Sequence, residues 1–373
     1  MHHQYCSSYL SGHGDMTVRP SDPAGLTITA IALRRPFARY RPALRVVQEL
    51  EYAVKAFRAI RVARPDVAIL CNVPLAANFL LVALMAVGRI PYVFWHQDVY
   101  SAAIQEEVHK RLPHAAARIA GAVAEAMERW IARRAGHVVA ITEAFRDKYT
   151  AWRLPKASFT VIPNWAEIEH FADVSPDRGW LHGETVRSRL LLYSGTLGAK
   201  HDPGLLLELA RSADLADCTV VVVSEGRGRD WLAERQRTVD EGRLVLRDYV
   251  PFSELPGILA SADVLISILE PAASRFSVPS KVLTYLCAGR PVVAVMDPGN
   301  AAAGLLRENG AGLVVGHDEK HRLQSVLRVL LDDTDRIDAM RRSARALAER
   351  LFDIERIADR FDRVIDAARR RPV

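Results

Sequence analysis

Two α/β domains, each a parallel sheet layered with helices, are what this chain predicts, on three observations. Its 373 residues exceed one ordinary core and suit two. Short β-branched runs alternate with helical stretches from residue 26 onward. Most of those runs are apolar without alternation, the mark of strands buried on both faces. A composition 50% hydrophobic and 25% charged excludes a disordered or collagen-like chain.

In the first half, strands are predicted at 26–33 (LTITAIAL), 67–71 (VAILC), 92–95 (YVFW), 137–142 (HVVAIT) and 159–163 (FTVIP). In the second they are predicted at 189–195, 218–226, 243–250, 263–269, 291–296 and 311–316. Helices are expected from Pro42 to Ala63, Val123 to Ala135, Pro203 to Arg211 and Leu255 to Ala260. The polar stretch 171–188 lacks periodicity and contains the hinge. The domain limits are therefore 1–173 and 189–351, with a linker over 174–188. Residues 352–373 form a closing helix that can cross back to the first domain, with Ile354, Ile357, Phe361, Val364 and Ile365 on one face.

No charge falls between Asp66 and Arg89, yet Asn72, Pro74 and Asn78 interrupt that stretch. A buried strand, Val67 to Cys71, followed by a short helix explains it better than a membrane span of about 20 apolar residues. Residues 1–15 lack the basic start and apolar core of a secretory leader. Cys6, Cys71, Cys218 and Cys287 lie far apart, without CxxC or His/Cys ligand spacing. They read as small thiols in a reducing compartment rather than a zinc site or disulfide scaffold. The expected location is cytoplasmic, peripheral to the inner face of the plasma membrane.

The net charge of +6 lies wholly in residues 1–173, where 21 Lys+Arg face 15 Asp+Glu; the remaining 29 of each sign cancel. Arg34, Arg35, Arg39, Arg41, Arg45, Lys55, Arg58, Arg61 and Arg64 meet only Glu49 and Glu51. That Arg34–Arg64 region suits an anionic membrane surface, and the plain alternative is a solvated helix face. No helix-turn-helix or aromatic-laced basic sheet accompanies it, so nucleic acid is not the expected partner.

The chemistry concentrates in SVPSKVLTYLCAGRPVVAV (277–295). Pro279 fits the first turn of a helix, Gly289 the residue after it, and Pro291 the entry to a buried strand. Free N–H groups at that helix start, the Ser277 and Ser280 hydroxyls and the Lys281 ammonium can gather around phosphate. A well-capped helix with a surface lysine is the plain alternative. In LLYSGTLGAKHD (191–202) a buried strand runs into Gly195 and Gly198, with Lys200 following. Such glycines let backbone approach a ligand closely.

Together, YSGTLGAKHD (193–202), VVVSEGRG (221–228), VPFSELPGILASADVLISIL (250–269) and FSVPSKVLTYLCAGRPVV (276–293) resemble retaining glycosyltransferases of family 4. WHQDVYS (95–101), VVAITEAF (138–145) and VIPNW (161–165) fit as well. The resemblance is closest to the branch of colanic-acid and exopolysaccharide transferases. It implies the GT-B fold, two Rossmann-like domains facing a cleft. The reaction implied moves sugar from a nucleoside-diphosphate sugar to a hydroxyl acceptor, lipid-linked or glycan, in cell-envelope glycan synthesis, with no cofactor beyond that co-substrate. No DxD-like carboxylate pair sits where a metal would be held; the acids at 318–320 and 332–335 read as solvated turns.

Position by position, the resemblance implies that Lys200, with the turn of Gly195, Thr196 and Gly198, holds the diphosphate. Ser277, Val278, Pro279, Ser280 and Lys281 would cradle the distal phosphate. Glu225, Gly226, Tyr249 and Val250 would border base and ribose. His96 and Asp98 would face sugar or acceptor across the cleft, His96, Asp98 and Lys200 being the catalytic set. A satisfied loop histidine and a capping carboxylate are the plain alternatives for the first two.

The chain departs from the family twice. Where many members carry two glutamates, this chain has Phe276 and Thr284, so only a weaker hydroxyl contact from Thr284 remains for the ribose. The first domain also lacks its opening βαβ unit, on the order of 50 residues judged from the ~30-residue size of such a unit plus a helix; no apolar strand precedes Gly12 and Gly14. These departures leave two rivals: a non-catalytic or truncated nucleotide-sugar-binding protein, and a GT-B sugar-nucleotide epimerase or hydrolase.

Overall fold

The computed structural model describes residues 2–7, 24–38, 41–198, 201–271 and 278–370. The chain divides into two units, one made of the residues up to Pro163 together with those from Arg356 on, the other running from Asn164 to Glu355.

The first unit runs β1 (His2–Ser7), β2 (Leu26–Ile31), α1 (Pro42–Ala63), β3 (Ala68–Cys71), α2 (Leu75–Val87), β4 (Tyr92–His96), α3 (Tyr100–Arg111), α4 (His114–Arg134), β5 (His137–Ala140), α5 (Arg146–Ala151) and β6 (Phe159–Val161). Strands β3-β4-β5-β6 form a parallel sheet in that order. Tyr92, Val93, Val138, Val139 and Ala140 are wholly buried, which explains their unbroken apolar runs. The charge-free stretch resolves into β3 and the 13-residue α2. Among the described residues no helix is long and apolar enough to cross a membrane.

The second unit runs β7 (Arg189–Ser194), α6 (Pro203–Arg211), β8 (Cys218–Val223), α7 (Arg227–Arg235), β9 (Leu244–Arg247), α8 (Leu255–Ala260), β10 (Val264–Ile268), α9 (Ser280–Cys287), β11 (Val292–Val295), α10 (Ala301–Glu308), β12 (Gly312–Val315), α11 (Leu323–Asp332) and α12 (Thr334–Leu351). Its six parallel strands lie in the order β12-β11-β10-β7-β8-β9. The chain starts mid-sheet at β7, winds outward to β9, then returns to β10 on the other side. Alternate residues feed opposite cores: Leu190 and Leu192 face one cluster, Leu191 and Tyr193 the other. Both units are Rossmann-like parallel α/β layers.

Three expectations change. A strand, β1, precedes Gly12 and Gly14 and pairs parallel with β2 in a separate two-stranded sheet; its sequence HHQYCS is polar, so no apolar run announced it. Residues 174–188 are not a free linker. Phe171 and Leu181 sit inside the second unit's core, and Trp165, Trp180 and Val186 pack against it, so burial of those side chains moves the boundary to Pro163. The closing helix α13 (Ile354–Arg369) groups with the first unit. There Phe361 meets Trp95 edge-on at 4.9 Å, and Ala368 presses on Gly136 so closely that a Cβ there would lie 2.9 Å from it. Of its apolar face Ile357 and Val364 are buried, whereas Ile354 precedes the contact and is 44% exposed. Finally, α9 starts at Ser280, with Pro279 as its extended N-cap rather than in its first turn.

Cys218 and Cys287 are buried free thiols and Cys71 is partly covered. Burial pushes the Cys71 thiol up to about 11, so it is not activated as a nucleophile.

Candidate functional site

In a sheet wound both ways from its middle, the loops leaving the two central strands part in opposite directions and open a crevice at their carboxyl ends. Here those strands are β7 and β10, which pair through Leu191–Val264 and Leu192–Leu265. The turn after β7 holds Gly195 and Gly198, and the chain leaving β10 leads to α9. The two stretches that the sequence marks for phosphate therefore meet at one end of the sheet.

Two side chains one turn apart on α9 fasten it to β7. The Tyr285 hydroxyl accepts from the Ser194 amide (2.8 Å) and donates to the Ser194 carbonyl (3.0 Å). Lys281, four residues earlier, donates through Nζ to the Tyr193 hydroxyl at 2.5 Å, with Nζ 3.8 Å from that ring's centroid. The Tyr193 hydroxyl donates in turn to the Thr196 carbonyl (3.1 Å). Gly195 has φ +124°, and a Cβ on it would stand 3.3 Å from Lys281 Nζ. Glycine is thus required there both for its backbone and for the lysine lying against it.

Lys281 as a whole is half-buried, and its Nζ lies between the Tyr193 ring and the Gly195 turn. None of the described carboxylates forms a salt bridge with it. Burial lowers its pKa from the ordinary 10.5 to about 7. A positive charge at this spot is costly until an anion arrives.

The β7 turn is laced to the loop after β8. Gly195 N donates to Val223 O (3.1 Å), Leu197 N to Glu225 O (3.1 Å), and Gly228 N to Leu197 O (2.9 Å). The Ser224 hydroxyl donates to Gly195 O at 2.8 Å. Gly228 permits this closeness, since a Cβ there would fall 2.6 Å from Leu197 O. Glu225 and Gly226 stand exposed on this rim. Tyr249, 48% exposed, reaches the Thr196 hydroxyl at 3.3 Å, while Val250 packs on the core beneath. The Gly198 amide donates to His201 Nδ1 (3.2 Å). Val278 is half-buried, Pro279 buried, Ser280 exposed and Thr284 half-buried. Lys200 and Ser277 lie outside the described residues. Within the second unit, Gly195, Thr196, Gly198, Glu225, Gly226, Tyr249 and Lys281 are thus brought together.

His96 and Asp98 belong to the first unit, and His96 is not where the sequence reading placed it. Its ring is 1% exposed, stacked on Phe94 at 4.7 Å, with Nδ1 2.9 Å from the Tyr149 hydroxyl and Nε2 3.3 Å from Glu128 Oε1. With both nitrogens engaged it presents no face to solvent. Glu128, wholly buried on α4, also accepts from the Tyr100 amide (2.8 Å), the Ser101 amide (3.3 Å) and the Ser101 hydroxyl (2.5 Å). It caps the start of α3 from another helix. Burial alone would raise its pKa, but His96 and the Ser101 bond outweigh that and hold it below the usual carboxylate range. Asp98, two residues beyond His96, is exposed.

Sequence reasoning missed Tyr193, Tyr285 and Glu128. The four-residue spacing of Lys281 and Tyr285 was the available signal for one shared helix face.

Among the described residues no group of three or more His, Cys, Asp or Glu is placed to hold a metal.

Comparison with known proteins adds the class. A glycosyl transferase 4-like domain model matches residues 10–165, and a glycosyl transferases group 1 model matches residues 188–333. The architecture is the GT-B one, and with both domain models in sequence the chain belongs to the glycosyltransferases. No curated protein matches it significantly. Among solved structures, Anabaena Alr3699/HepE in complex with UDP and glucose is similar at TM-score 0.67 and 16% identity, over 91% of this chain and 86% of that one. Sucrose-phosphate synthase from Thermosynechococcus elongatus is similar at TM-score 0.68 and 15% identity, over 93% and 86%. WaaG, a glycosyltransferase involved in lipopolysaccharide biosynthesis, is similar at TM-score 0.64 and 16% identity, over 93% and 88%.

Proposed function

We propose that the chain is a retaining glycosyltransferase of the family 4 type, moving a sugar from a nucleoside-diphosphate sugar to a hydroxyl acceptor in cell-envelope glycan synthesis. The observation that carries the donor site is Lys281: an ammonium without a carboxylate partner among the described residues, lying against Gly195 at the switch point of the second sheet. HepE, whose structure holds UDP, supports the same donor class.

In this reading Lys281, the start of α9 and Lys200 meet the charge that builds on the leaving diphosphate, where fixed donors lower the barrier most. Thr196, Glu225, Gly226 and Tyr249 border the nucleoside. Attack comes from the face the diphosphate leaves, with a donor phosphate oxygen accepting the acceptor's proton. No cofactor beyond the co-substrate and no metal are assigned a role. Asp98 is the polar group offered on the acceptor side, and the buried His96–Glu128 pair fixes the backbone that carries it.

The acceptor in this reading is lipid-linked or a glycan, reached from an anionic membrane. Val46, Val47 and Leu50 are 45%, 61% and 38% exposed on α1. Arg34, Arg35, Arg41, Arg58, Arg61 and Arg64 surround that helix, Arg41 and Arg64 flanking it and Arg58 and Arg61 lying on it; Arg45 and Lys55 are paired with Glu49 and Glu51. An apolar strip bordered by arginines is suited to an anionic bilayer surface. Co-sedimentation with vesicles containing phosphatidylglycerol should fall sharply for Val47→Asp; equal sedimentation removes the membrane contact.

The donor site is tested by thermal shift with UDP, GDP and their sugars on the wild type and Lys281→Ala. A ligand at 100 times its Kd stabilises by about 2.7 kcal/mol. The wild type should respond to one nucleoside-diphosphate series and the variant should lose most of that response. Equal stabilisation of both proteins overturns the assignment, and binding without any sugar turnover makes the chain a binding protein.

A further inference from the structure

At the opposite end of the second sheet, where its strands begin, charge is unbalanced in a way the donor reading does not use. Three adjacent strands, β7, β10 and β11, are entered through Arg189, Asp263 and Arg290. Asp263 is the shared acceptor there. It takes the Leu190 amide (2.7 Å) and Arg178 (2.8 Å), with Arg189 and Arg341 each at 4.0 Å. Arg341 also meets Asp338 at 3.0 Å, and Arg345 meets Glu349 at 2.7 Å. Six guanidiniums (Arg178, Arg189, Arg290, Arg341, Arg342 and Arg345) thus share three carboxylates.

Two of the six make no direct bond. Among the described residues Arg290 and Arg342 have neither hydrogen bond nor ion pair, although Arg290 is attracted by Asp263 and Asp338. Arg290 is half-buried, and burial first, then Arg341, lowers its pKa to about 10 against the opposing pull of Asp263. The Nε of Arg341 is buried without a partner. An unpaired buried donor and crowded like charges both cost free energy unless something answers them.

A cavity of about 540 Å³ is lined by Arg341, Arg342, Arg345 and Glu349 together with apolar residues including Phe171 and Val174; Arg290 follows the lining residue Gly289 and is not itself part of the lining. That volume falls within the roughly 300–1,000 Å³ of small-molecule sites, which are mostly apolar with a few convergent polar groups. Arginine forks match phosphate oxygens bidentately.

We propose that this cavity is a second anion site, which takes a phosphate ester with its phosphate toward Arg341 and Arg342 and its apolar part against Phe171 and Val174. The site stands at the far end of α9 from Lys281. An eight-residue helix spans about 12 Å, so the two sites are separate and joined by one rigid element. The proposal does not rest on the donor reading.

The test is calorimetric titration of the full chain with inorganic pyrophosphate. Arg341→Gln/Arg342→Gln should weaken one class of pyrophosphate binding at least tenfold, while leaving the response to nucleoside diphosphates intact. Lys281→Met should leave that class unchanged, which distinguishes failure here from failure of the donor site. Arg341 has partners to lose, so Arg342→Gln alone, at an exposed position without a bonded partner among the described residues, is the fallback with a smaller loss of the same sign. Glycerol 3-phosphate and vesicles containing phosphatidic acid then separate a soluble ester from a lipid headgroup. Binding of either that depends on Arg341 and Arg342 supports the site. Isotherms of the wild type and the double variant that superimpose overturn it.

Discussion

Each unit buries an ionisable group, and the two burials are unlike. In the first unit Glu128 is surrounded by donors: the Tyr100 and Ser101 amides, the Ser101 hydroxyl and His96. In the second, Lys281 has a phenol and the face of its ring, and no described carboxylate bonds to it. A satisfied buried group belongs to the architecture, because its partners already recover what desolvation costs. A poorly satisfied one is tolerated where a ligand completes it. In the proposed reading the difference gives His96 a positioning role and leaves Lys281 the donor-binding one, whereas the sequence reading sets His96 in the catalytic group.

The largest effect that could break this contrast is at Glu128. Removing one member of a buried, hydrogen-bonded pair typically costs about 3–5 kcal/mol, and here α3 also loses its cap. Glu128→Ala should therefore lower unfolding stability in urea by about that amount. Its pH dependence has a definite sign. The folded carboxyl titrates below its ordinary 4.5, so its contribution is present above that value and fades as pH falls through the lower folded one. A variant within about 1 kcal/mol of the wild type, against that 3–5 kcal/mol expectation, would make the network incidental and reopen a direct role for His96.

The same contrast explains what was legible in the sequence. Most strands from β3 to β12 were readable because continuous apolar runs have few alternatives between two helical layers, whereas β2 was readable from its β-branched run LTITAI although little of it is buried. Strand β1 was not, since its pairing to β2 is backbone and its side chains are polar. The stretch 174–188 read as a linker because its polar residues outnumber its anchors. Yet Trp180 and Leu181, with Trp165 and Phe171 ahead of the stretch, are enough to hold it on the second core. The glycine turn and the start of α9 were each visible as phosphate-binding stretches. That they meet through Tyr193 and Lys281, 88 residues apart, depends on sheet order, which local pattern does not encode. Glu128 was hidden for the same reason: its partners lie on β4 and α3.

A smaller and sharper test lies at Lys281, where the sign of the pH effect separates an architectural lysine from a ligand-binding one. Its folded pKa of about 7 lies below the ordinary 10.5. Between those values the unfolded chain holds the proton more tightly, so the empty protein should gain stability as pH rises through that window. Lys281→Met should lose that slope and be no less stable at pH 7. A diphosphate reverses the balance by favouring the charged ammonium, so binding must take up a proton above pH 7. Affinity should then fall with rising pH, by at most about tenfold per unit. Calorimetry at pH 8 in two buffers of different ionisation heat, with the nucleoside diphosphate that stabilises most, reads this directly. Uptake of up to one proton by the wild type and none by Lys281→Met is the expected pair. Were the wild type to take up no proton, Lys281 would be as self-contained as Glu128, and the distinction between the two burials would disappear.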